Sequence, residues 1–474
     1  MKLKSFLTLI VLLAGCSSAR EDKRIEVKGA RLISETFEST ENSDQFSMNV
    51  AKYELDNGLN VLLIQNARLP LFSLHLFYGV GSKHELKGMT GSSHFLEHMM
   101  FKGAKKFGQG AFDKIIEGNG GVSNAYTNYD MTVYYETMPI DALELILDVE
   151  ADRMENLTLE EKGFLSEKEV VLEERKMRYE NSPRGQLYIR TFTQMFAGTP
   201  YETPVIGTVE DIKSVTRKQV YDYFKTYYAP NNATLVIAGD IDFEATIKSI
   251  VKYFGAIAPS ELLAQVKQER EDEKLYQYNG PHQYEEHLFG QSENPIFMLA
   301  FPSYPYGHRM SYVGDLLASI LAGQGSSFLQ QKYVKSQNPV LSSIYAGNYN
   351  LQHSGILYIT GEMMPSVSPA DFNKRLQADL RSFCADEINE RSVFKVRNKI
   401  LKSFYNELET SKGIADYLGS LDVLTGDFQN YLKELEVYNS IEVEELQKSC
   451  VELLVKPRPY YLTIWNQNKI KAEI

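Results

Sequence analysis

His94-Phe95-Leu96-Glu97-His98 holds the residues best suited to chemistry. On an α-helix, residues four apart share a face, so His94 and His98 would turn their imidazoles the same way. Two imidazoles at that spacing can grip one zinc ion. Glu97, three residues after His94, stands beside them, where a carboxylate could take a proton from an activated water. Gly91-Ser92-Ser93 precedes the motif and reads as a helix start, with the serines available as N-caps. The chain has only 8 histidines. A chance match to all three fixed positions is expected on the order of 0.01 times in a chain of this length.

A metal site that keeps a position open for water needs a third protein ligand. The stretch from Glu161 to about Tyr179 reads as a glutamate-rich helix. Glu167 and Glu174 lie two turns apart on one face of it, so one can bind metal while the other supports the site. Glu174 is the favoured ligand; Glu173, roughly 100° round the helix, is the alternative. The remaining histidines show no ligand spacing.

These elements sit in a chain of 474 residues, 43% hydrophobic and 24% charged, which suits a globular protein of two or three domains. A net charge of −12 argues against a general nucleic-acid binder. Three cysteines cannot make a disulfide framework. Cys384 and Cys450 are as readily a pair as two buried thiols. At the start, Lys2 and Lys4 precede an apolar run from Phe6 to Leu13, then Ala14-Gly15-Cys16. Residues 1–15 therefore read as a signal peptide and Cys16 as a lipidated cysteine that anchors the chain to a membrane. Residues 16–47 read as a polar tether. Ser17, rather than Asp, after the cysteine points to the periplasmic face of the outer membrane of a bacterial envelope.

A polar stretch within 259–275 reads as a linker between domains at 48–258 and 276–474. The two parts echo each other. A β-rich run ending in Thr137-Met138-Pro139 leads into a helix, as does one ending in Met363-Met364-Pro365. Each part also closes with a proline and a β-rich run, after Pro230 and after Pro459. The expected class is α+β with a duplicated domain.

Longer motifs make the pattern specific: residues 79–85 (GVGSKHE), 91–103 (GSSHFLEHMMFKG), 120–127 (GGVSNAYT), 170–174 (VVLEE) and 230–240 (PNNATLVIAGD). With these the sequence resembles the insulinase/pitrilysin family of zinc metallopeptidases, which includes the mitochondrial processing peptidases. The likeness covers nearly all of the first half and is looser in the second, where 323–327 (GQGSS) stands for a glycine-rich segment. It implies one Zn2+ per chain, held by His94, His98 and Glu174. Glu97 is then the general base and Glu167 the carboxylate that supports the site. Asn124, Ala125 and Thr127 are implied to offer an open strand edge to an extended peptide substrate. The implied fold is two homologous domains, each a mixed, mostly antiparallel sheet packed with helices, together forming half a clamshell.

One departure stands out. Members of the family usually place an Arg and a Tyr, four residues apart, shortly after the glycine-rich segment; 334–343 has neither, and Lys335 and Tyr345 fit the spacing poorly. The pair would then come from a partner, in a homodimer or a heterodimer with a related chain. The expected function is zinc-dependent endopeptidase on peptides or unfolded polypeptides. The alternative is a catalytically silent or partner-dependent subunit on the same fold.

Overall fold

The computed structural model describes residues 27–36 and 48–465, apart from 271, 291 and 324. The first half builds one sheet from β1 (Ala30–Thr36), β2 (Val50–Leu55), β3 (Asn60–Gln65), β4 (Leu71–Tyr78), β5 (Val122–Thr127), β6 (Thr132–Pro139) and β7 (Ala233–Gly239). The second half builds another from β8 (Glu285–Phe289), β9 (Ile296–Ser303), β10 (Leu341–Asn350), β11 (Gly355–Met363) and β12 (Tyr460–Trp465). The strand orders are β1-β2-β3-β7-β4-β6-β5 and β10-β11-β9-β12-β8.

Read from opposite ends, the two orders match. β3-β7-β4-β6-β5 corresponds to β8-β12-β9-β11-β10, and the parallel pairs β3/β7 and β8/β12 fall at the same place. All other neighbours are antiparallel. The fold is therefore two homologous α+β domains, each with a mixed, mostly antiparallel sheet. β1 and β2 extend the first sheet beyond the shared five strands.

Successive residues of a strand face opposite sides, so strands buried on both faces read as continuous apolar runs. β7 is such a strand, buried along its whole length. On one side Leu74, Leu76, Leu235 and Ile237 meet the first half's own helices, including Phe95, Leu96 and Met99 of the helix Ser92–Met99. On the other side Phe77, Val236 and Ala238 meet Ile414, Ala415 and Leu418 of the helix Ser411–Thr425, which belongs to the second half. Gly419 allows that approach: a Cβ there would lie 2.2 Å from the ring of Phe77.

The exchange is reciprocal. The helix Pro183–Met195 leaves the first half and lays Leu187, Phe192 and Met195 on Met298, Ala300, Leu462 and Ile464 of the second sheet. Each such buried apolar side chain contributes roughly 1.5–3 kcal/mol, so the two halves share their cores.

Two expectations change and one open alternative closes. Ala30–Thr36 lies within the stretch read as tether, yet it pairs antiparallel with β2. Its mixed sequence hides the strand because only Ala30 and Leu32 lean on the core, as befits an edge. Within the expected linker, Leu263–Arg270 forms a helix whose Leu263 is buried and whose Val266 packs on the first core. Cys384 and Cys450 form a disulfide with Cα atoms 5.5 Å apart. The signal segment 1–15, Cys16 and the rest of the tether lie outside the described residues. Among the described residues no helix is long and apolar enough to cross a membrane.

Candidate metal centre

The motif helix Ser92–Met99 starts at Gly91, whose φ of 87° suits glycine. A Cβ at Gly91 would also lie 2.6 Å from the Ile206 carbonyl oxygen. Ser92 and Ser93 fall inside the first turn, so neither is the N-cap. The first N–H groups are satisfied instead by Glu85, which accepts from Gly91 N at 2.6 Å and from Ser93 N at 2.8 Å. Burial raises the Glu85 pKa to about 8 despite those two bonds.

The glutamate helix Glu161–Arg175 packs across the motif helix, helped by the edge-to-face contact of Phe95 and Phe164. This crossing brings His94, His98 and Glu174 together, with one ligand atom of each within 4.8 Å of the others. Glu174 Oε2 lies 3.3 Å from His98 Nε2 and 3.8 Å from His94 Nε2. Glu167 stands behind the cluster and meets His98 Nδ1 at 2.9 Å, leaving Nε2 to face inward. Lys102 holds the other oxygen of Glu167 at 2.7 Å. Glu173 points outward toward Lys176, so it is no ligand.

The electrostatics follow from these contacts. Burial and the neighbouring His98 lower the His94 pKa to about 4, so His94 is neutral, as a ligand must be. Burial also works against a charged His98, but the bonds from Glu167 and Glu174 outweigh it and raise its pKa to about 9. The bond from His98 holds Glu174 below the usual carboxylate range. Glu97 shifts upward because it is buried, while Thr127 Oγ1, donating to Glu97 Oε2 at 2.6 Å, counters that shift.

Two imidazoles and a carboxylate with ligand atoms this close fit Zn2+, whose ligand atoms stand roughly 3–4 Å apart in a tetrahedral shell. The donor set leaves room for a fourth, non-protein ligand. A cavity of about 170 Å3 opens beside His94 and Glu174, and Thr127, Arg178, Tyr188 and Tyr349 also line it. Arg178 pairs with Glu174 Oε1 at 3.0 Å.

Asn124, Ala125 and Thr127 all lie on β5, the edge strand of the first sheet. Thr127 turns to Glu97. Asn124 Oδ1 accepts from the Ala125 N–H at 2.9 Å. Tyr345 is half exposed and not part of the cavity wall, whereas Tyr349 of the same strand, β10, reaches it from the second half. Sequence reasoning missed Glu85, Lys102, Arg178 and Tyr349. Glu85 and Lys102 left a trace, since they fall within the motifs at 79–85 and 91–103.

A family model described as insulinase (peptidase family M16) matches residues 60–209, which contain every one of the clustered ligands. A second, described as the peptidase M16 inactive domain, matches residues 214–400. The chain belongs to the insulinase, or M16, family of peptidases. Among its M16 relatives, the zinc protease PqqE of Helicobacter pylori is 29% identical over 403 residues, 82% of this chain and 88% of that protein. A crystal structure of a protease from Helicobacter pylori superposes with a TM-score of 0.79 at 26% identity, covering 87% of this chain and 98% of the other. The periplasmic protease PqqL of Escherichia coli shares the M16 fold at a TM-score of 0.71 and 19% identity, but only 48% of that chain is covered against 90% of this one.

Proposed function

We propose that the chain is a zinc-dependent endopeptidase acting on peptides or unfolded polypeptides. The observation that carries this reading is the convergence of His94, His98 and Glu174 within 4.8 Å, with Glu97 held by Thr127 on the same helix turn. A bound zinc ion would polarise the scissile carbonyl and acidify the attacking water. Glu97 is buried and raised in pKa, which suits a base that accepts the water proton and returns it to the leaving amine. By accepting from His98 Nδ1, Glu167 would keep a proton there, so that Nε2 is the nitrogen that gives up its proton when a metal binds.

Substrate recognition follows from the strand edge. An extended peptide adding to β5 would displace the Asn124 carboxamide from the Ala125 N–H and take that hydrogen bond itself. The sequence of residues 1–16 supports attachment through a lipidated Cys16 at the periplasmic face of the outer membrane. A second copy or a related chain would close the clamshell. In support, this chain spans about half the length of PqqL.

The reading is tested by bound zinc and peptide cleavage in the wild type and in Glu97→Gln. The variant should keep its metal and lose about 10²–10⁴-fold in turnover. A wild type without zinc, or an equally active variant, would end it. One observation favours a partner-dependent subunit instead, the missing Arg/Tyr pair in 334–343. Full activity of the purified chain alone would remove that alternative.

A further inference from the structure

The zinc cleft lies between the first α-helix after β4 and the second α-helix after β6. The second half repeats this layout. The helix Arg309–Ala322 follows β9, and Glu390–Glu407 is the second α-helix after β11. These two helices also pack together and also border a cleft, here about 610 Å3 in volume. That is within the usual range for ligand sites and larger than the cavity at the metal centre.

The chemistry of the repeated cleft is inverted. Where the first half sets imidazoles and carboxylates, the second sets Lys332, Arg391 and Lys395. Two more cations stand close to the wall residues Ser326 and Ser327: Lys399 donates to the Gly323 carbonyl at 3.2 Å, and the Lys335 ammonium lies against Gly325. Glu387 also lines the wall, and Asp379, outside it, holds Lys332 at 2.8 Å. Among the described residues Arg391 and Lys395 have no carboxylate partner, and the Lys395 ammonium bonds only to the Ser326 hydroxyl. A local positive excess in a chain of net charge −12 marks a place for anions.

We propose that this cleft is a second, non-catalytic binding site that takes the carboxylates of an acidic peptide segment. Its size exceeds what a single oxyanion fills. Its floor, Ile320, Phe328 and Val396, is apolar and suits the side chains that alternate with carboxylates in such a segment. The cleft thus holds part of a polypeptide away from the metal centre, on the half that carries no zinc ligands.

The test uses the full chain carrying Glu97→Gln, so that binding is read without turnover. A fluorescein-labelled octapeptide of alternating Glu and Leu is titrated by fluorescence anisotropy at low salt. Adding Arg391→Glu and Lys395→Glu should weaken binding roughly tenfold or more, with zinc content and the circular dichroism spectrum unchanged. Neutral Arg391→Gln and Lys395→Gln should give a smaller loss in the same direction. A peptide with Gln in place of Glu should bind as weakly as the charge-reversed chain does. Equal binding by the charge-reversed chain would overturn the proposal. So would release of the peptide by low-millimolar inorganic phosphate but not by chloride of equal ionic strength, which would assign the cleft to a free oxyanion.

Discussion

His98 Nδ1 lies 2.9 Å from Glu167 Oε1, although the two residues are 69 positions apart. This bond ties the motif helix to the glutamate helix and fixes which imidazole nitrogen faces Glu174. Replacing Glu167 with Gln should keep the fold but weaken zinc binding about 10–100-fold. Competition with a chromophoric chelator would measure it. Unchanged affinity would mean that Glu174 and the helix packing orient His98 unaided.

Thr127 is expected to act through Glu97. Thr127→Val removes the donor to Glu97 Oε2 while nearly preserving shape. Burial raises the Glu97 pKa and Thr127 lowers it, so losing the hydroxyl moves that pKa further up. A general base works only when deprotonated. The acid limb of the kcat/KM profile should therefore move to higher pH, with kcat reduced about tenfold and zinc content intact. A profile that scales down without moving would assign Thr127 to packing alone.

His75 sits at the centre of β4, fully buried; among the described residues neither ring nitrogen is hydrogen-bonded, and Asp416 Oδ1 lies 4.0 Å from Nε2. Burial, helped by the nearby Lys412, lowers its pKa from 6.5 to about 3. The unfolded chain takes up a proton below pH 6.5 that the folded chain refuses until about pH 3. Stability contributed by this group is thus present above pH 6.5 and is lost as pH falls towards 3. His75→Leu should flatten that part of the stability profile, by roughly 2–4 kcal/mol at its acid end. Chemical denaturation of both chains at pH 7 and pH 4 would show it, and parallel profiles would refute it.

The Cys384–Cys450 bridge closes a separation of 66 residues within the second half. Cys384→Ser with Cys450→Ser should lower stability by about 2–4 kcal/mol. Zinc binding should be unaffected, since all the clustered ligands lie in the first half. Thermal melts with and without reductant, beside zinc titrations, separate the two effects.

The sequence alone pointed to the motif helix, narrowed the glutamates to Glu174 with Glu173 as the alternative, and indicated a duplicated α+β fold. These are local matters. Spacing of four puts two imidazoles on one helical face, spacing of seven puts Glu167 and Glu174 on another, and paired β-rich runs repeat in order. Tertiary structure decided what spacing cannot express. Glu85 caps the motif helix from outside it, because the turn at Gly91 leaves N–H groups that the carboxylate folds back to accept from. Tyr349 joins the metal cavity from the other half, and the helices Pro183–Met195 and Ser411–Thr425 each cover the sheet of the opposite half. An amphipathic helix announces that it will bury a face. Which sheet it covers depends on the shape of both halves at once.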